Sequence, residues 1–113
     1  MADCLFCKIV SGDLPAGKVA ESDGALAFRD INPEAPTHIL VIPKEHVASA
    51  AELGGSSGDV LAEIFTMIVG LAEKEGLQGG WRVVTNVGSD AGQSVHHLHF
   101  HLLGGRTMAW PPG

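Results

Sequence analysis

From His97 to Leu102 the chain alternates imidazole and apolar side chain without a break: His97-Leu98-His99-Phe100-His101-Leu102. Successive side chains of an extended backbone point to opposite faces, so period two marks a half-buried strand. The pattern predicts a strand from His97 onward, with His97, His99 and His101 on one open face and Leu98, Phe100 and Leu102 in a core. Same-face neighbours on a strand stand about 6.5–7 Å apart. A lone strand histidine is ordinarily a surface group or a hydrogen-bonded core group. A row of them adds little to packing and points to chemistry: a metal site, or a nucleophile with a proton-handling partner. Histidine can attack phosphorus directly, splitting one hard displacement into two easier ones. The residues upstream favour phosphorus, because Gly88, Gly92, Gln93 and Ser94 predict a small polar loop whose backbone N–H groups are free to face an anion.

The length of 113 residues supports a single domain, 1–113, with one real core. Net charge is −6 with the histidines neutral, which argues against a nucleic-acid backbone or an anionic membrane surface as partner. The longest strongly apolar run, Ile64 to Ala72, is expected to be too short to span a bilayer. Met1-Ala2-Asp3-Cys4 has neither the basic region nor the apolar core of a signal peptide. A cytoplasmic location is the expectation, with Cys4 and Cys7 as thiols or metal ligands instead of a disulfide.

Cys4-Leu5-Phe6-Cys7 predicts a short helix running to Val10 and stopped at Ser11-Gly12. The cysteine pair can be a redox centre, two buried thiols, or half of a zinc site needing two further ligands. Lys18–Glu21 and Ala25–Asp30 predict two strands joined by a tight turn at Ser22-Asp23-Gly24. Phe28 and Asp30 share a face at the end of the second; taken alone they read as a core aromatic and a capping carboxylate. Thr37–Pro43 predicts a central strand, apolar on both faces, with His38 as its odd polar member. After Gly54-Gly55-Ser56-Ser57-Gly58, a long helix is expected to about Gly76, capped by Ser56 or Ser57 and apolar nearly all round, so that a partner must cover part of it. Trp81–Val87 predicts a further strand, carrying Asn86. An unstructured end is the simplest reading of Arg106–Gly113.

His97-Leu98-His99-Phe100-His101-Leu102-Leu103 resembles the signature of the histidine-triad (HIT) superfamily. Asp30-Ile31-Asn32-Pro33, the Ala35-to-Lys44 block and Gly104-Gly105-Arg106 with Trp110-Pro111-Pro112-Gly113 resemble its Hint branch of nucleotide-binding proteins. The resemblance implies an α+β, HIT-like fold. It has a five-stranded, mainly antiparallel sheet with one long and one short helix, and it dimerises into a continuous sheet. It implies a hydrolase of purine nucleoside phosphoramidates and related adenylates, or, as the alternative, a zinc-stabilised nucleotide-binding adaptor with little catalysis.

On the resemblance, His99 is the nucleophile, and His101 holds phosphate oxygens and links to His38, which hydrogen-bonds the triad. Ser94 donates toward the leaving group, with the amides of Gln93 and Ser94 on the developing charge and Gly92 in the same loop. Phe28 and Ile31 wall a purine pocket, Asp30 takes the ribose hydroxyls, and Asn86 contacts the phosphate and ribose. Trp110 stands on the leaving-group side, reached across a homodimer. Zinc-binding members resemble this chain in a Cys4, Cys7, His46, His97 ligand set, structural in role and not needed for catalysis. The histidine at 101, where nucleotidyl transferases carry glutamine, sets the chain apart from them, and the Trp-Pro-Pro tail sets it apart from dinucleoside polyphosphate hydrolases.

Overall fold

A computed structural model describes residues 3–113. A short helix, α1 (Leu5–Ser11), is stopped by Gly12 in the left-handed region at φ 87°. Strands β1 (Lys18–Glu21), β2 (Ala25–Arg29) and β3 (Thr37–Pro43) follow, then α2 (Gly58–Lys74), β4 (Trp81–Val84) and β5 (Phe100–Gly104). The strands form one sheet in the order β1-β2-β3-β5-β4, every neighbouring pair antiparallel. It is the five-stranded α+β architecture that the resemblance implies.

Period two decides which helix covers which face. Ala25, Ala27, Ile39, Val41, Phe100 and Leu102 share a core with Ile64, Ile68, Leu71 and Ala72 of α2. Leu26, Phe28, Leu40 and Ile42 face the other way and pack with Phe6 and Ile9 of α1. β3 is buried along its whole length, as an apolar run with neighbours on both sides requires.

α2 is not apolar all round in its packing: Ile64 and Ile68 are fully buried, while Phe65 and Val69 stand 41% and 55% exposed. With the 3-10 turn before it, the segment Gly55–Lys74 is long and apolar enough to cross a bilayer by length and composition, a correction to the shorter run counted from sequence. Its inner face packs on the sheet, as in a core helix. Ser57 precedes α2 but makes no side-chain cap; its hydroxyl instead accepts from the Gly54 amide at 3.1 Å.

Three strands are shorter than the sequence predicts: β2 stops one residue early, at Arg29. β4 ends at Val84, leaving Asn86 beyond the ladder, and β5 begins only at Phe100. The β3–β5 ladder runs from Thr37↔Gly104 to Val41↔Phe100. Beyond it the Leu98 amide donates to the Val47 carbonyl at 2.6 Å, which turns the chain off the sheet.

At the 22–24 turn a side chain on residue 24 would press on the tip of the Glu63 side chain. A Cβ on Gly24 would lie 2.7 Å from Glu63 Oε1. The Glu63 carboxylate accepts from the Gly24 amide at 2.7 Å and from the Ser22 hydroxyl, pinning the hairpin to α2.

Candidate active site

The sheet register assembles one wall of the site. Phe28 pairs with Leu40 and Leu40 with His101, so these side chains form a row on the face that α1 covers. His38, two residues before Leu40, shares that face and meets His101 on the diagonal. α1 contributes Leu5, Phe6 and Ile9. Between helix and sheet lies a cavity of about 420 Å³ that Phe28, Asp30, Ile31, Ser94, His99 and His101 also line. Its apolar walls and few polar groups suit a small molecule with one flat apolar part.

The triad face is covered, not open. His97 is fully buried and His99 is 6% exposed, because the Phe6 ring packs edge-on against both, at centroid distances of 5.9 and 5.1 Å. Sequence reasoning did not single out Phe6. The signal was present in the Leu5, Phe6, Ile9 spacing, which is the apolar stripe of a helix.

Hydrogen-bond partners assign the proton on each imidazole. A backbone N–H can only donate, so the Glu34 amide, 3.0 Å from His38 Nδ1, leaves the His38 proton on Nε2. That Nε2 lies 2.9 Å from His101 Nδ1 and 3.4 Å from Asp30 Oδ2. His101 Nδ1 therefore accepts, and its proton stands on Nε2. Among the described residues that atom is buried with no hydrogen-bond partner, a donor lacking an acceptor. Burial, then the His99 and His38 imidazoles, push the His101 pKa down to about 4, so the ring is neutral at physiological pH.

A carbonyl can only accept, so the His97 carbonyl, 2.6 Å from His99 Nδ1, holds a proton there. The other nitrogen of His99, Nε2, keeps its lone pair. The same argument places the proton of His97 on Nε2, 2.8 Å from the Pro43 carbonyl, and leaves Nδ1 as its bare nitrogen. Burial lowers the pKa of His97, which favours the neutral ring.

The bare Nδ1 of His97 faces Cys4 Sγ at 3.3 Å, Cys7 Sγ at 3.6 Å and His46 Nδ1 at 3.2 Å, and Cys7 Sγ lies 3.3 Å from His46 Nδ1. A tetrahedral zinc with sulfur ligands at ~2.3 Å and nitrogen ligands at ~2.0–2.1 Å sets its ligand atoms about 3.3–3.8 Å apart. The four residues fit such an ion in number, type and spacing. Zinc would supply folding energy and a fixed junction between α1, the segment after β3 and the approach to β5. Without metal, burial and the neighbouring Cys4 raise the pKa of the Cys7 thiol.

Several sequence expectations are corrected by the geometry. The loop before the triad spends most of its donors on itself: Gly88 N–H goes to Gln93 Oε1, Gly92 N–H to the Ser89 carbonyl and Gln93 N–H to the Gly88 carbonyl. The Gln93 amide is thus not free for an anion. Its side-chain NH₂ clamps the loop to the Ala48 and Val95 carbonyls. Among the described residues only Ser94 keeps an unengaged amide in this group, and Ser94 lines the cavity, whereas Gly92, Gln93 and Asn86 do not. Ile31 lines the cavity at its edge and is 91% exposed; Trp110, expected at the partner's site across a dimer, is 81% exposed within one chain. Within one chain the tail lies along β4, where Arg82 donates to the Ala109 carbonyl at 3.1 Å and its guanidinium sits 5.9 Å from the Trp110 ring.

Comparison with known proteins agrees with the fold. The HIT domain pattern matches residues 11–108. A HIT family hydrolase from Legionella pneumophila superimposes with a TM-score of 0.96 at 52% identity, over 98% of this chain and 100% of the other. A histidine triad nucleotide-binding protein from Candida albicans gives 0.83 at 34% identity, over 96% and 83%. By sequence, a 14 kDa zinc-binding protein from Zea mays is 46% identical over 96% of this chain and 87% of its own length. Adenylylsulfatase HINT1 from Arabidopsis thaliana is 43% identical over 96% and 76%.

Proposed function

This chain belongs to the HIT-domain family, and we propose that it hydrolyses the phosphorus–nitrogen bond of purine nucleoside 5′-phosphoramidates and related adenylates. A hydrolase acting on nucleotides is the reading the family and the named relatives support. The observation that carries the finer reading is the pairing of opposite functions in one cavity. His99 presents a lone pair at Nε2, and His101 presents a buried, unpartnered Nε2–H. A nucleophile beside a neutral donor suits attack on an anionic phosphoryl group, because the donor binds the oxygens without lowering the basicity of its neighbour as a cation would.

In the proposed reaction, His99 Nε2 bonds to the α-phosphorus and the bond to the leaving nitrogen breaks. Ser94 donates toward that nitrogen as it leaves as an amine. The positive charge arising on His99 is stabilised by the His97 carbonyl at Nδ1–H. His101 Nε2–H, a buried and preorganised donor, donates to a non-bridging oxygen. Water then attacks phosphorus, the bond to His99 breaks, and a nucleoside monophosphate leaves. Phe28, Leu5 and Ile31 would sandwich the base, and Asp30 would accept from the ribose hydroxyls. Zinc on Cys4, Cys7, His46 and His97 enters no step. The proposed unit is a homodimer joined through the exposed face of α2 and the edge strand β4, placing the tail and Trp110 of each copy near the other's leaving group.

The test is steady-state hydrolysis of a fluorogenic adenosine phosphoramidate by wild type and His99→Ala. Wild type turns over, and the variant loses at least about a thousandfold in kcat while still binding adenosine monophosphate. Wild-type turnover in the variant would remove the nucleophile from the scheme. Binding without turnover in either protein would favour the zinc-stabilised nucleotide-binding module, a reading the zinc-binding relatives keep in view.

A further inference from the structure

The nucleophile sits on a piece of chain that the sheet does not hold. The β3–β5 ladder stops at Val41↔Phe100, so His97, Leu98 and His99 have no strand partners and something else must fix them. Three contacts converge on the one peptide unit that orients His99. The His97 carbonyl takes the His99 Nδ1 proton at 2.6 Å. The amide of the same unit, Leu98 N–H, donates to the Val47 carbonyl at 2.6 Å, one residue from His46. The His97 ring is held by the Pro43 carbonyl on one nitrogen and the Cys4, Cys7, His46 cluster on the other. The cluster reaches His99 by a second route as well. Phe6 lies between the two cysteines in sequence, is 7% exposed, and packs edge-on to His99 at 5.1 Å and to Phe28 at 5.3 Å.

We propose that Cys4, Cys7, His46 and His97 form a positioning site for the nucleophile, in which binding of zinc fixes the His97–Leu98 peptide and Phe6 and thereby the tautomer and aim of His99. The proposal deepens the phosphoramidate reading and rests on it for the identity of the nucleophile. It differs from a purely structural metal in its consequence: occupancy changes turnover more than nucleotide binding. Asp30, Leu40 and His101 line the cavity from the sheet side, and Leu5 and Phe6, between Cys4 and Cys7, line it from α1, so nucleotide binding depends on the cluster only in part. A one-ångström error at a reacting atom, by contrast, costs roughly a hundredfold.

The experiment compares zinc-loaded protein, protein stripped by a chelator, and Phe6→Leu, which keeps all four ligands. Each is checked for fold by circular dichroism and for one zinc per chain by metal analysis. Three quantities are read: kcat and KM on the adenosine phosphoramidate, the dissociation constant for adenosine monophosphate, and the nitrogen-15 and proton signals of the His99 ring. Stripping is expected to lower kcat at least tenfold with the dissociation constant changed less than about threefold, and to broaden or shift the His99 Nδ1–H signal. Phe6→Leu, still holding zinc, is expected to lower kcat severalfold in the same direction. Folded, stripped protein with unchanged kcat and an unchanged His99 signal would overturn the proposal, as would failure to bind zinc at all. If no form turns over substrate, the phosphoramidate reading fails, and the His99 signal still decides whether zinc positions that ring. If the stripped protein unfolds, Phe6→Leu decides: unchanged kcat and signal there overturn the proposal.

Discussion

At the residue scale, the chemistry of the site is a matter of which nitrogen carries each proton. A single backbone amide, that of Glu34, sets the relay: it forces the His38 proton to Nε2, which forces the His101 proton to Nε2. The buried His101 ring also carries a cost that depends on pH. Its pKa falls from the ordinary 6.5 to about 4 on folding, chiefly by burial. Between those values the unfolded chain binds the proton and the folded chain does not, so stability falls as pH drops from 6.5 toward 4 and is unaffected by this group above 6.5. Urea unfolding midpoints measured across that range are expected to decline with falling pH, and His101→Asn is expected to flatten the decline. An equal slope in the variant would assign the effect to other groups.

At the element scale, α2 and α1 do different work. α2 closes the main core, and Ile68, with no exposed surface, meets the sheet directly. Ile68→Ala is expected to cost about 2–5 kcal/mol, by lost transfer energy and the cavity left behind, read as a lower denaturant midpoint with unchanged slope. α1 contributes Phe6 and Ile9 to the smaller core cluster and, with Leu5, lines the cavity, joining the Cys4, Cys7, His46, His97 group to the Phe28 wall. The ion pair of Arg29 with Glu75, bidentate at 2.9 Å, ties the end of β2 to the end of α2. It is largely solvent-exposed on the arginine side, so its share of stability is small.

At the scale of the whole molecule, the sheet has an edge at β4, and α2 leaves Phe65, which packs on Phe100 of β5, and Val69 partly exposed. An exposed apolar helix face and an open strand edge are each surfaces that a second copy can cover. If the proposed homodimer uses this face, Val69→Asp is expected to shift sedimentation from dimer toward monomer at micromolar concentration. It should leave the fold intact, because Val69 is more than half exposed within one chain. A variant that sediments as wild type would move the interface elsewhere. The tail bears on the same question, since Trp110 was expected to serve the partner's cavity and within one chain stands 81% exposed.

The sequence by itself determined the two faces of the sheet and marked several residues that line the cavity, Phe28, Asp30, Ile31, Ser94, His99 and His101 among them. Period two put Leu98, Phe100 and Leu102 into the α2 core and the imidazoles on the other side, because that alternation is a property of extended backbone whatever lies around it. The pairing of Cys4 and Cys7 with His46 and His97 was likewise legible through resemblance and is matched by the ligand distances. Three things were decided only by the tertiary structure. β5 starts at Phe100 and not at His97, because the Leu98 amide and the His97 ring find partners off the sheet, at Val47 and Pro43. The glycine-rich loop withholds its Gly88, Gly92 and Gln93 amides, because it bonds to itself. The proton on each imidazole is set by groups as far away in sequence as Glu34 is from His101. A hydrogen bond needs its partner's position, and only the folded chain supplies that.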